Sequence, residues 1–338
     1  MADEPEASED ETETSKEIST IAEDPRFPFD ELIACAACLR TNPPNRAACL
    51  YCGSDLELTE LLPGAVRLSL QGPESWEDGF TIVYLGQGRV DDDITAEAAE
   101  ILRLEPDILA QLMRSGAPAP VAYLRSLSEA QIAASRLTEI GFPCAIAGDD
   151  LLMPKMPPSR LRGIEFGEMG AAFMDFNTAS RFEFAETDHL LLVTGVICKT
   201  RSETTAKRSK RSLKVTDTAE SLSDEPVLDI YPPSDVFGFR IRPSGFDFSC
   251  LGGQMRGTGV ENMQILTEAL LKSFSASKLV DTYRSLRSAL DEIWPVGESD
   301  RSSSLSRASF GGVRVHRISV VDNTEQLSRF SRLQRHLI

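Results

Sequence analysis

Between residues 77 and 152 short unbroken apolar runs alternate with stretches in which apolar residues recur every three or four positions. The run FTIVYLG (80–86) is β-branched and aromatic and predicts a buried strand. DDDITAEAAEILRL (91–104) opens on acidic caps and continues at helical spacing. EPDILAQLMRSG predicts a second helix, with Pro106 in its first turn and Gly116 at its end. APVAYLRS reads as a strand, LSEAQIAASRLTEIG as a helix with Ser128 as N-cap and Gly141 just past its end, and FPCAIAG as a closing strand. The predicted order is β-α-α-β-α-β.

After the proline-interrupted boundary MPKMPPSR the period changes to two. LRGIEFGEMGAAFMDF, SRFEFAETDHLLLVTGVICKTRSE, EPVLDIYPP and VFGFRIRPSGFDFSCLG alternate or are β-branched, with turn formers between them. They predict an antiparallel sheet domain over 158–295, capped by two helices, VENMQILTEALLKSF and KLVDTYRSLRSALDEIWP. Three stretches lack a usable period. Residues 57–76 read as a linker with one short strand at AVRLSL, and 200–226 as a disordered loop between strands. Residues 296–338 read as a Ser/Arg-rich linker and a C-terminal helix carrying Arg329, Arg332 and Arg335, expected to pack on the sheet rather than on an acidic surface. The whole is expected to be a multidomain α+β protein.

Charge changes the picture at the N-terminus. Residues 1–31 hold twelve Asp or Glu against Lys16 and Arg26, so ten of the seventeen net negative charges of the 338-residue chain lie there. That segment has little to bury and is expected to be a disordered acidic tail. It lacks the basic start and apolar core of a signal peptide, and no apolar run is long enough to span a bilayer, so the expected location is cytoplasmic. The loop 200–226 opposes the trend with seven Lys or Arg between 199 and 214. An anionic lipid contact at 199–214 is one reading of it, and a solvated insertion that binds nothing is the favoured one.

The chemistry concentrates in ACAACLRTNPPNRAACLYCGSD (34–55). Cys35, Cys38, Cys49 and Cys52 have the spacing C-x2-C-x10-C-x2-C, which turns two pairs of sulfurs toward one point and suits one structural zinc ion. Four thiolates fill a tetrahedron and leave no position for water or substrate, so a catalytic metal is not expected. A redox pair would need a Cys-x-x-Cys at a helix N-terminus, and neither pair precedes a helical pattern. With Asn42 between the pairs and Gly53 after the last ligand, residues 32–56 resemble the RanBP2-type short zinc ribbons. That resemblance implies a module that binds single-stranded RNA, ubiquitin or another protein; a stabilising clip with no ligand of its own is the equal alternative. RNA readers of that type usually carry an aromatic residue before the first Cys, where this chain has Ile33 and Ala34. Only Arg40, Arg46 and Tyr51 are placed to touch a base or phosphate.

YLRSLSEAQIAASRLTEIGFPCAIA, through Glu129, Ala130, Leu137 and Gly141, resembles the C-terminal domain of the bacterial ribosomal stalk protein. The resemblance implies a small α/β fold over 77–152 with an exposed helical face. Its basic GTPase-binding residues do not carry over, because Arg103 and Arg114 stand here among seven acidic residues. The strands followed by a helix over 158–295 resemble a pleckstrin-homology-like architecture. No catalytic constellation accompanies these modules. His189, His316 and His336 form no metal pair, no G-x-S-x-G or phosphate-binding loop occurs, Gly252, Gly253, Gly257 and Gly259 suit a long turn, and Asp91, Asp92 and Asp93 suit a helix cap. The chain therefore reads as a non-enzymatic adaptor or regulatory protein that makes protein contacts. The alternative is an RNA- or ribosome-associated factor.

Overall fold

The computed structural model describes residues 32–56, 66–74, 77–86, 91–153, 156–208, 213–233, 238–296, 298–309 and 312–337. The expected acidic tail, 1–31, lies outside the described residues. The first described segment, the cysteine lobe, holds two short antiparallel strands, β1 (Ile33–Ala34) and β2 (Thr41–Asn42).

The next elements are β3 (Phe80–Tyr84), α1 (Asp92–Leu102), α2 (Pro106–Arg114), β4 (Ala119–Leu124), α3 (Leu127–Glu139), β5 (Cys144–Gly148) and α4 (Asp149–Leu152). The three strands form an antiparallel sheet in the order β4-β3-β5. Pro106 opens α2, where its missing N–H costs nothing, and Gly141 follows α3 at φ +84°. The N-cap of α3 is Ser126, two residues earlier than the Ser128 expected from sequence; its Oγ accepts from the Glu129 N–H at 3.1 Å. Ser126 and Glu129 have capping-box spacing, but the Glu129 carboxylate turns away. It accepts from the Ser69 N–H and Oγ at 2.7 and 2.8 Å and from the Leu70 N–H at 3.2 Å. Residues 66–74 are thereby fastened along the α/β unit, with Val66 and Leu68 buried, where the sequence suggested a linker. Residues 57–65 lie outside the described set.

The remaining elements are β6 (Ser159–Gly167), β7 (Gly170–Asp175), β8 (Arg181–Ala185), β9 (Leu191–Arg208), β10 (Leu213–Tyr231) and β11 (Phe239–Ile241). A 3-10 turn at Phe248–Gln254 leads to α5 (Gly259–Ser273), β12 (Lys278–Val280), α6 (Tyr283–Ile293), β13 (Glu298–Ser309), β14 (Gly312–Asp322) and α7 (Thr324–Leu337). The described strands make a nine-stranded sheet in the order β13-β14-β9-β10-β11-β6-β7-β8, with β12 beside β9. Most pairs are antiparallel, as expected, but β11 with β6 and β12 with β9 are parallel. The path is open, its ends at β13 and β8.

Two expectations are corrected here. The supposed disordered loop 200–226 carries long strands: β9 and β10 pair from Leu213↔Arg208 to Tyr231↔Leu191. The supposed linker after 296 carries β13 and β14, the latter pairing with β9 from Val313↔Arg208 to Asp322↔Lys199. β13 and the outer halves of β9 and β10 show no sustained apolar alternation, so periodicity cannot find them; β14 does alternate over Val313–Arg314–Val315 and Ile318–Ser319–Val320, a signal that the reading of 296–338 as a linker passes over. They extend ladders whose inner halves are buried, and β9 has its backbone paired on both sides.

Those inner halves form a wall between two apolar cores. Leu191, Val193, Ile197, Val227 and Tyr231 face a core shared with the α/β unit, α6 and α7. Leu192, Leu228 and Ile230 face a second core with Phe173, Phe239, Phe274 and α5. On the first face Asp229 and Arg240 are direct cross-strand partners joined by two hydrogen bonds of 2.6 and 2.7 Å, and Arg240 also donates to Ser328 of α7 at 3.1 Å. Both members are buried, so the attraction is set against a large desolvation cost, and losing one partner strands the other charge. Arg240→Met should cost about 3–5 kcal/mol in urea unfolding, and adding Asp229→Leu should recover most of that loss. Phe330→Ala in α7, whose ring is fully buried 5.4 Å from that of Tyr283, should cost about 3–5 kcal/mol in the same assay.

Candidate metal centre

The cysteine lobe is built from two equivalent knuckles. In the first, the Cys35 N–H donates to the Arg40 carbonyl at 2.9 Å and the Leu39 N–H to the Cys35 carbonyl at 2.8 Å. In the second, the Cys49 N–H donates to the Ser54 carbonyl at 2.9 Å and the Gly53 N–H to the Cys49 carbonyl at 3.0 Å. The fourth residue after the leading cysteine is left-handed in both, Leu39 at φ +61° and Gly53 at φ +73°. Each tight turn directs two sulfurs inward, and the four sulfurs lie within 4.8 Å of one another. Cys35 and Cys52 are 3.6 Å apart, as are Cys38 and Cys49. Metal–thiolate bonds of about 2.3 Å in a regular tetrahedron separate sulfurs by about 3.8 Å. Cys35, Cys38, Cys49 and Cys52 thus form a cluster that can hold one metal ion, and it is the one group of that kind among the described residues.

Asn42 ties the knuckles together. Its Nδ2 donates to the Arg40 carbonyl at 3.0 Å and to the Cys49 Sγ at 3.4 Å, while its Oδ1 accepts from the Leu50 N–H at 2.8 Å. Burial works against ionisation of Cys49, yet the backbone N–H groups of Tyr51 and Cys52 and the Asn42 amide hold its thiol down at about 6. Hydrogen bonds from Ser54 likewise lower Cys52. Cys38 goes the other way: the Arg40 backbone favours its thiolate, but burial and the three neighbouring sulfurs push it up to about 12. A cation at the centre reverses that repulsion.

The lobe sits on the turn between β4 and α3. Gly53 packs on the Arg125 side chain so closely that an added Cβ would lie 2.1 Å from its Cδ. Arg125 is fixed from the other side by Glu77, at 2.8 Å from Nε. Ser126, the cap of α3, donates a short hydrogen bond through Oγ to Asp55. Sequence reasoning missed these partners because they lie far along the chain and carry no motif.

Of the residues expected to touch a ligand, Arg40 lies over the Tyr51 ring at 4.7 Å, whereas Arg46 belongs to a separate bridge with Arg67. His189 faces the Ala276 carbonyl at 3.3 Å. Burial raises Cys144, Cys198 and Cys250. Asp91 is the N-cap of α1, with Asp92 and Asp93 in its first turn, and the glycine-rich stretch forms the turn before α5, capped by Thr258. Among the described residues no helix is long and apolar enough to cross a membrane. No family model, no curated protein and no solved structure matches the chain.

Outer partners of a metal site tune affinity by orienting the ligands. Asn42→Ala should weaken metal binding by about 10–100-fold in a competition titration with a chromophoric chelator. Removing the metal should speed amide exchange across 32–56 and at the first turn of α3, where Asp55 holds Ser126, and leave β9 and β10 unchanged.

Proposed function

We propose that this is a non-catalytic cytoplasmic adaptor or regulatory protein whose cysteine lobe is a zinc ribbon that presents an apolar knuckle to a protein partner. The observation that carries this reading is Leu39. It is 81% exposed, and it holds a left-handed backbone at the position where the second knuckle has Gly53. A left-handed non-glycine residue costs about 1–2 kcal/mol, and exposure of the side chain returns nothing within the chain. Leu50 and Tyr51 are exposed on the other knuckle, so the metal-ordered turns offer apolar groups beside Arg40. Zinc is the metal of this reading because it accepts four thiolates in a tetrahedron and, once enclosed, is structural. The Cys-x-x-Cys spacing with Asn42 between the pairs supports the likeness to the RanBP2-type ribbons, and the β-α-α-β-α-β order supports the likeness to the stalk domain.

The reading as an RNA- or ribosome-associated factor draws on the same Arg40 and Tyr51. It is the weaker one, because the Arg40 guanidinium lies over a face of Tyr51 on which a base would stack.

Leu39→Gly separates contact from folding. Elemental analysis should find one zinc per chain in the wild type and in Leu39→Gly, and none after replacing all four cysteines by Ser. A partner captured reproducibly by the wild type should be lost by Leu39→Gly and by the cysteine variant. Capture that survives Leu39→Gly overturns the knuckle reading. Retention of RNA that weakens steeply with salt would favour the second reading instead.

A further inference from the structure

Four arginines from four segments, Arg46, Arg67, Arg103 and Arg136, line one surface pocket of about 770 Å³ where the cysteine lobe, residues 66–71, α1 and α3 meet. Nothing in the metal centre or its exposed knuckle uses it. Arg46 and Arg67 are set side by side by a parallel backbone bridge, with the Arg67 N–H donating to the Asn45 carbonyl at 2.7 Å. Like charges on paired positions destabilise a sheet contact unless something of opposite sign lies between them. Among the described residues neither Arg46 nor Arg67 takes part in an ion pair. Among the described residues the buried Nε–H of Arg46 has no hydrogen-bond acceptor, so it is a donor that an anion can satisfy.

The other two cations are held in place by carbonyl groups. Arg103 occupies the C-cap of α1 in a left-handed conformation, φ +54° and ψ +38°, and donates to the carbonyls of Leu68 at 2.7 Å and Ser69 at 3.2 Å. Arg136 donates a short hydrogen bond to the Val66 carbonyl. The Leu68 and Ser69 carbonyls orient the Arg103 guanidinium and leave its charge in place. Among the described residues the acidic groups at the pocket are Glu97 and Glu100, both exposed on α1, and the adjacent Glu129 is saturated by Ser69 and Leu70. The pocket walls thus carry four positive charges against two negative ones in a chain of net charge −17.

We propose that this pocket binds a compact phosphate-class oxyanion, either inorganic phosphate or the phosphate group of a small ester. Guanidinium forks match phosphate oxygens in pairs and lose little hydration in doing so, and the volume is that of a small-ligand site. A nucleic acid fits less well. Among the described residues no aromatic side chain lines the pocket to stack a base, and the acidic remainder of the chain repels an extended polyanion.

The test is calorimetric titration of the full chain with sodium phosphate and, separately, glycerol phosphate, at an ionic strength held constant with sodium chloride. Saturable one-to-one binding is expected, tighter for whichever source is the ligand. Arg46→Gln/Arg67→Gln should weaken it roughly tenfold or more, as expected for lost charge-assisted hydrogen bonds. Arg46→Lys/Arg67→Lys, which keeps the charge without the fork, should fall between, and Arg181→Gln on β8 should leave it unchanged. Circular dichroism checks that each variant is folded. No saturable heat with either probe, or equal affinity in the wild type and the folded Arg46→Gln/Arg67→Gln variant, overturns the proposal. So does a short single-stranded RNA that binds through the same arginines more tightly than either phosphate.

Discussion

The seating of the α/β unit on the sheet depends on one buried helix. α7 is packed on several sides, with Leu327, Phe330 and Leu333 in the shared core and Gln326, Ser331, Arg332 and Gln334 almost equally enclosed. Burying such side chains is costly unless they are hydrogen bonded, and their partners come from separate segments. Gln326 donates to Asp291 at 2.7 Å and to the Trp294 carbonyl at 3.0 Å. Ser331 reaches Tyr231 at 3.0 Å, Arg332 the Met156 carbonyl at 2.7 Å, and Gln334 the Pro118 carbonyl at 2.7 Å. Arg329 lies over the Tyr123 ring and donates to its hydroxyl at 2.9 Å. Each bond specifies one orientation of the α/β unit against the sheet, which apolar packing alone would not.

The residue before α7 makes the junction with the sheet. The Asn323 Oδ1 accepts from the Cys198 N–H at 2.7 Å while its Nδ2 donates to the Val196 carbonyl at 2.9 Å. A side-chain amide thus continues the ladder of β9 just beyond the point where β14 leaves it. Its Nδ2 also donates to the Tyr283 hydroxyl at 2.8 Å, which in turn donates to Gln326 at 2.7 Å. Gly195 completes the fit, because an added Cβ there would lie 2.4 Å from Leu327 Cδ1. Segments that read as separate modules therefore share one core.

That difference explains what the sequence made legible. Elements that bury an apolar stripe against a nearby partner were readable: the order β3-α1-α2-β4-α3-β5, Pro106 at the start of α2, Gly141 after α3, and the four cysteines with Asn42. Elements held by backbone pairing or by polar contacts were not. The outer halves of β9 and β10, and β13, are strands because neighbouring ladders continue into them, and their polar residues show no period of two; β14 alternates only over two short stretches interrupted at His316–Arg317. The C-terminal helix was expected to pack on the sheet, but what its arginines meet was not readable, because the Met156 and Pro233 carbonyls that accept from Arg332 and Arg335 cannot be located from sequence. The same blindness hid the pocket: Arg67 sat in a presumed linker, Arg103 stood among acidic neighbours, and Arg136 carried no motif.

The metal cluster and the arginine pocket are joined by the chain itself. Arg46 lies between Cys38 and Cys49, so its position follows from the turns that the four sulfurs impose, whereas Arg103 and Arg136 belong to helices of the α/β unit. A lobe this small buries little apolar surface, so a bound metal would supply most of its folding free energy. An anion that bridges the lobe to the helices must then favour the metal-bound, docked state, and by linkage the metal must favour the anion by the same factor. Arg125, Ser126 and Glu129 lie along the route between the two sites, since Asp55 holds the cap of α3 and Glu129 holds the segment bearing Arg67. On this argument the cysteine lobe does more than clip the chain. It would set whether the two halves of the proposed phosphate site face each other.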